Sequence, residues 1–171
     1  RLPIVMAVAN RAIGPPWNIW GSHTDALSQR DADWIQLFAA NVQEAYDLTL
    51  MAYRIAEDQD IMLPTMVNLD GFTLAETMQP YTLVDADAAQ EFIGELEVPH
   101  KIDTENPRNI GVMTGGADFW RFRKMIMDTM EQVPEVTQST FDAFGEMTGR
   151  NYDLVHTYRA DDADLVIVGL G

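Results

Sequence analysis

Three residues in one early segment could do chemistry together. Arg11 directly follows an apolar run, and His23 and Asp25 lie a little further on in Gly21-Ser22-His23-Thr24-Asp25. An arginine just past the end of a strand can grip a carboxylate through two parallel hydrogen bonds and never loses its charge. Ligands of open α/β sheets bind beyond the carboxyl ends of the strands. An imidazole beside a carboxylate can move a proton. Each has a plainer reading: a surface arginine pairing with one of many acids, and a loop histidine that is structural or solvated. His100 and His156 are distant and isolated, so no metal-ligand spacing accompanies His23.

Other candidates read more plainly still. Gln43, Glu44 and Asp47 open a helical segment, where acids complement the helix dipole. Trp17, Trp20 and Trp34 suit packing in a core or an interface better than a stacking platform. The methionines between Met125 and Met130 read as core filler within a helix. Gly169-Leu170-Gly171 after an apolar run is only the first fragment of a dinucleotide fingerprint.

These residues need a frame. Leu2 to Ala9 is continuously apolar, as expected of a strand buried on both faces. A turn-rich loop follows, with Gly14, Pro15, Pro16, Asn18, Gly21 and Ser22. Trp34 to Ala56 reads as helical, with Asn41 as a break or cap inside it. Ile61 to Leu69 reads as a second strand, which Pro64 would place at an edge or a bulge. Strand, helix and strand predict a βαβ unit with a parallel sheet, and so an α/β fold. Asp70-Gly71 opens a turn, and Asp85 can cap a helix over roughly Ala86 to Leu96. Residues 99–116 are irregular. Ala117 to Met147 is the longest helical stretch, with Pro134 expected to kink or divide it. Gly149 to Ala160 reads as a connector with a domain boundary near it, and Leu165 to Val168 as a last strand.

The composition excludes several classes. The chain has 171 residues, 47% of them hydrophobic, and a net charge of −16. That charge opposes a nucleic-acid surface and repels anionic lipid. No apolar stretch is long enough to span a bilayer, no targeting signal is visible, and the chain reads as cytoplasmic. There are no cysteines, so any iron–sulfur cluster must be held by another polypeptide. Neither end resembles a natural terminus.

Ala9-Asn10-Arg11-Ala12-Ile13, Asn18 to Asp25, Gln29-Arg30-Asp31 and Trp34-Ile35-Gln36-Leu37 follow one another in fixed order, joined by Val42-Gln43-Glu44-Ala45 and Asp70-Gly71-Phe72. Together they resemble the α subunit of pyruvate:ferredoxin (2-oxoacid:ferredoxin) oxidoreductases. The likeness is strong over residues 1–80 and looser between 81 and 148. Asn18 to Asp25 favours the pyruvate-like branch over the 2-oxoglutarate-like one.

The resemblance implies that residues 1–148 are the C-terminal part of a thiamine diphosphate pyrimidine-side domain with a helical extension. Residues 149–171 would be a connector and the first strand of a second, transketolase C-terminal-like α/β domain. It implies oxidative decarboxylation of a 2-oxoacid to acyl-coenzyme A and CO₂, with electrons passing to ferredoxin. Mg²⁺ and [4Fe–4S] clusters would sit on other subunits, of β, γ and δ type. Arg11 matches the arginine that contacts the substrate carboxylate, and Asn10, His23 and Asp25 match supporting loop positions. The main cofactor-activating glutamate belongs to a part of the family's domain outside this chain. The sequence departs from the pattern at Ser22, where an acid or amide is common, and at Glu76, where a histidine is usual. Those changes leave 2-oxoisovalerate, phenylglyoxylate and oxalate beside pyruvate as substrates. A non-catalytic scaffold that keeps the fold is the alternative from another class.

Overall fold

The computed structural model describes residues 2–109, 111 and 113–170. Its centre is a parallel sheet of β1 (Val5–Asn10), β2 (Ile35–Ala39) and β3 (Thr65–Asp70), in the order β1-β3-β2. The register sets Asn10 beside Asp70, and both Ala9 and Ala39 beside Leu69. All three strands therefore end together, which is what a shared site at their C-terminal edge requires. Helix α2 (Val42–Glu57) connects β2 to β3 in a βαβ unit, whose first strand is β2 and not the expected run from Leu2 to Ala9.

Three expectations are corrected here. Ile35–Ala39 is a strand and not the start of a long helix, because Ile35 and Leu37 alternate with Gln36 and pair in register with Thr65 to Val67. The helix begins only after Asn41, whose side chain caps it by accepting from Glu44 N. β3 is the central strand, not an edge. Pro64 precedes it, so its missing N–H interrupts no ladder, and its carbonyl accepts from Ile35 N. β1 starts at Val5, lies at a sheet edge and leaves Met6, Ala7 and Ala9 exposed, so it is not buried on both faces.

The alternation of strand side chains splits the sheet into two chemically different faces. Val5, Leu37, Val67 and Leu69 join an apolar core with Leu48, Met51, Ala52 and Ile55 of α2. Beyond α2 lie α3 (Ala86–Ile93) and α4 (Gly116–Thr148), with Phe92 set edge-on to Phe144 at 5.3 Å. The other face carries Asn10, Gln36 and Asn68, and its asparagines are fully buried. Buried polar side chains require partners, so this face is organised by hydrogen bonds.

Asp85 caps α3 as expected, accepting from Asp87 N and Ala88 N, and Gly94 at φ +81° ends the helix before Leu96. α4 runs unbroken through Pro134, so the proline does not divide it. Its methionines are not uniformly core filler: Met125 and Met127 are exposed, while Ile126 and Met130 pack inward. Leu165 to Val168 forms no strand among the described residues, because no ladder pairs with it, and its side chains are exposed. Gly171 of the glycine fragment lies outside the described residues. No helix of the described residues is long and apolar enough to cross a membrane.

Candidate functional site

The site is built from the polar face upward. Asn10, the last residue of β1, donates from Nδ2 to Asp25 Oδ1 at 2.9 Å and to Asn68 Oδ1 at 3.2 Å. Asn68 in turn donates to Leu37 O, and Gln36 to Ala26 O. All three strands and the short helix α1 (Thr24–Leu27) are thereby tied into one network. Asp25 is its hub. It accepts from Asn10, from Arg11 N at 2.9 Å and from Ala26 N at 2.7 Å. Those three donors satisfy the carboxylate, so Asp25 fixes the loop rather than standing ready as a base.

Arg11 emerges where β1 ends. Its Nη2 donates to Gly71 O at 2.7 Å and lies 3.8 Å from Glu76 Oε1. Its Nε is buried without a hydrogen-bond partner among the described residues, as is Asn10 Oδ1. The guanidinium thus sits at the strand ends, held from one side by the turn after β3.

That turn is shaped by Asp70. Its Oδ1 accepts from Phe72 N at 3.0 Å and from Thr73 N, which makes an Asx turn. Slight burial alone would raise the Asp70 pKa. The hydrogen bonds from Phe72, Thr73 and Leu74 outweigh it and hold the carboxyl below its ordinary value. Gly71 lets the turn approach β1, because a Cβ there would lie 2.0 Å from Asn10 O and 2.8 Å from Arg11 Cγ. No side chain fits that gap.

The loop between β1 and α1 covers this edge. Ala12 N donates to Asn18 O, Ile13 N to Thr24 Oγ1, and Ser22 Oγ meets Thr24 Oγ1 at 3.1 Å. Trp20 leans on Phe72 at 4.1 Å, and His23 meets Phe38 edge-on at 5.3 Å. An open cleft of about 310 Å³ lies here, lined by Gly21, His23, Ala39, Ala40, Asp70, Thr73, Leu74 and Leu170. His23 therefore faces the cleft, and Asn10, Arg11 and Asp25 converge beside it as one network. The tryptophans divide between surface and partial burial. Trp17 and Trp20 are largely exposed, and Trp34 is half-buried. Among the described residues no three His, Asp or Glu side chains converge as a metal site would require.

Asp70, Gly71, Asn68 and Gln36 are parts of the site that motif reading missed. Asp70-Gly71 was legible as a turn, but its approach to β1 depends on the β1–β3 register. Asp47 is the opposite case. It has no dipole role at the helix surface: it is fully buried and paired with Arg150 and Tyr152, away from the cleft.

Residues 1–142 match the family model described as pyruvate flavodoxin/ferredoxin oxidoreductase, thiamine diphosphate-binding. Across its whole length the chain is 41% identical to the pyruvate synthase subunit PorA of Pyrococcus abyssi, covering 44% of that relative. It is 42% identical to PorA of Thermotoga maritima, again over 44% of the relative. It is 40% identical to the ketoisovalerate oxidoreductase subunit VorA of Pyrococcus horikoshii, over 43% of it. The chain thus spans less than half the length of these relatives. With its parallel α/β sheet and its strand-end site, the chain belongs to the pyruvate flavodoxin/ferredoxin oxidoreductase family, in the part that corresponds to the thiamine diphosphate-binding domain.

Proposed function

We propose that this chain is the substrate-gripping part of the α subunit of a 2-oxoacid:ferredoxin oxidoreductase, with pyruvate as the first substrate to test. The observation that carries the reading is Arg11, a fixed cation at the shared C-terminal edge of β1 and β3, braced by Gly71 O and by Asp25 through its own backbone. A guanidinium there orients a 2-oxoacid by its carboxylate and leaves the carbonyl to face the cleft. Arg11 binds, Asp25 and Asn10 position it, and His23 borders the space in a supporting part.

The cleft suits the ring side of thiamine diphosphate. Ala39, Ala40 and Leu74 offer apolar wall against which the face of an aminopyrimidine packs, and His23 and Asp70 border the same space with polar groups. When bound, thiamine diphosphate supplies the nucleophilic carbon for decarboxylation. Mg²⁺, the [4Fe–4S] clusters, coenzyme A and ferredoxin then fall to β, γ and δ-type subunits and to the complete assembly, which we place in the cytoplasm. We read residues 149–171 as the connector to a second α/β domain, in which Leu165 to Val168 becomes a strand only once it has neighbours to pair with.

The test is anaerobic viologen reduction by the native assembly, with coenzyme A supplied as acceptor for the acyl-forming substrates. Pyruvate, 2-oxoisovalerate, 2-oxoglutarate, phenylglyoxylate and oxalate are supplied in turn. Reduction with pyruvate or another monocarboxylic 2-oxoacid is the expected result. Silence with all five, from an assembly holding thiamine diphosphate and intact clusters, overturns the reading and favours a scaffold.

A further inference from the structure

Glu76 stands against the one cation proposed to take the substrate. Its Oε1 lies 3.8 Å from Arg11 Nη2, and its side chain is 62% exposed. Its backbone is fixed where its side chain is not. Glu76 N donates to Phe72 O at 3.1 Å and Ala75 N to Asp70 O at 3.0 Å, so both belong to the turn whose Gly71 carbonyl holds Arg11. The acids nearby differ in this respect. Asp25 is occupied by three backbone and side-chain donors, and Asp70 Oδ1 by two backbone N–H groups. Glu76 has no partner but Arg11 among the described residues.

We infer that Glu76 is a specificity-determining counter-ion: it occupies Arg11 in the free site, yields it to one incoming carboxylate, and repels a second. The inference rests on the reading of Arg11 as the substrate's anchor and names the substrate class more narrowly. A monocarboxylic 2-oxoacid exchanges one negative charge for another on the guanidinium, while the exposed Glu76 side chain turns to water. A dicarboxylic 2-oxoacid carries a further carboxylate toward a cleft lined by Asp70, past the Glu76 that stands beside Arg11. Like charges brought close together at the site discriminate between the two acids.

The test compares wild-type assembly with Glu76→Gln, which keeps shape and removes charge. Steady-state rates are measured with pyruvate and with 2-oxoglutarate, and calorimetry follows oxamate, an unreactive monocarboxylate. Losing an exposed ion pair is worth up to about fivefold in affinity. KM for pyruvate and Kd for oxamate should fall by that order, with kcat for pyruvate within about twofold. The preference for pyruvate over 2-oxoglutarate should narrow by about tenfold, since repulsion of the second carboxylate is removed as well. A role in shaping the turn would instead lower kcat and leave the preference untouched. An unchanged preference in an active E76Q assembly overturns this inference alone. A wild-type assembly that neither turns over these acids nor binds oxamate overturns it together with the reading of Arg11.

Discussion

Arg150 closes on Asp47 across 103 residues of sequence, with Nε 2.7 Å from Oδ2 and Nη2 2.8 Å from Oδ1. Tyr152 Oη donates to the same carboxylate at 2.6 Å, and Gln43 Nε2 reaches it at 3.1 Å. The stretch that leaves α4 is thus latched to the helix between β2 and β3. The two partners are unequal, because the Asp47 side chain is fully buried while that of Arg150 is 24% exposed. Removing the arginine strands a charge in the interior, whereas Asp47→Asn leaves an arginine that can turn to water. Arg150→Ala should cost about 3 kcal/mol, near the lower end for a broken buried pair, and Asp47→Asn about half that. Denaturant unfolding of the full-length chain measures both, and the reverse order would contradict the asymmetry.

Tyr152 makes the latch sensitive to alkali. Burial, then the hydrogen bond to Asp47 and the charge of Asp47, push its phenol well above the ordinary value of 10.0. A raised folded pKa contributes stability that is complete below the unfolded value and is lost as pH climbs from there through the folded one. Stability should therefore hold to about pH 10 and then decline. Tyr152 should ionise late in an absorbance titration, and Tyr152→Phe should abolish that late phase. The variant should also lose about 1.5 kcal/mol at neutral pH, as expected of one hydrogen bond to a charged acceptor.

The fold was legible where local chemistry and tertiary demand agreed. Asn41 and Asp85 announce their helices because a short polar side chain before an apolar pattern has few other uses. Ile35–Ala39 was not legible, since five residues joined to a strong helix give a period too brief to separate. Only pairing with Thr65–Leu69 decides it. The same holds at the site. Arg11, His23 and Asp25 stand out by type within one loop, but Gly71 and Glu76 matter only because parallel register brings β3's turn beside β1's end. Asp47 was misread for the same reason: its partners arrive from over 100 positions away.

Gly71 predicts a local failure with two readouts. Any Cβ must displace the Asn10 carbonyl and the Arg11 side chain, and backbone cannot yield as a flexible tip would. Gly71→Ala should destabilise by about 2 kcal/mol through this overpacking. Because the Gly71 carbonyl also holds Arg11, the same change should raise KM for the 2-oxoacid. A folded variant with wild-type KM would show that the turn does not set the arginine's position.

Arg11 itself separates charge from geometry. Arg11→Ala removes a charged donor pair, worth about 1.5–3 kcal/mol per hydrogen bond, and should lower kcat/KM by at least about 100-fold with the assembly intact. Arg11→Lys keeps the charge but cannot form the planar fork, so it should recover only a fraction of that loss. Asp25→Asn tests the support. It weakens three accepted hydrogen bonds, including the one from Arg11 N, without touching the guanidinium. Its effect should fall between those of the lysine and alanine variants. Combined with Arg11→Ala it should add little, since a displaced anchor and an absent one fail alike. Full additivity of the two in steady-state kinetics would mean that Asp25 acts on the reaction by a route other than Arg11.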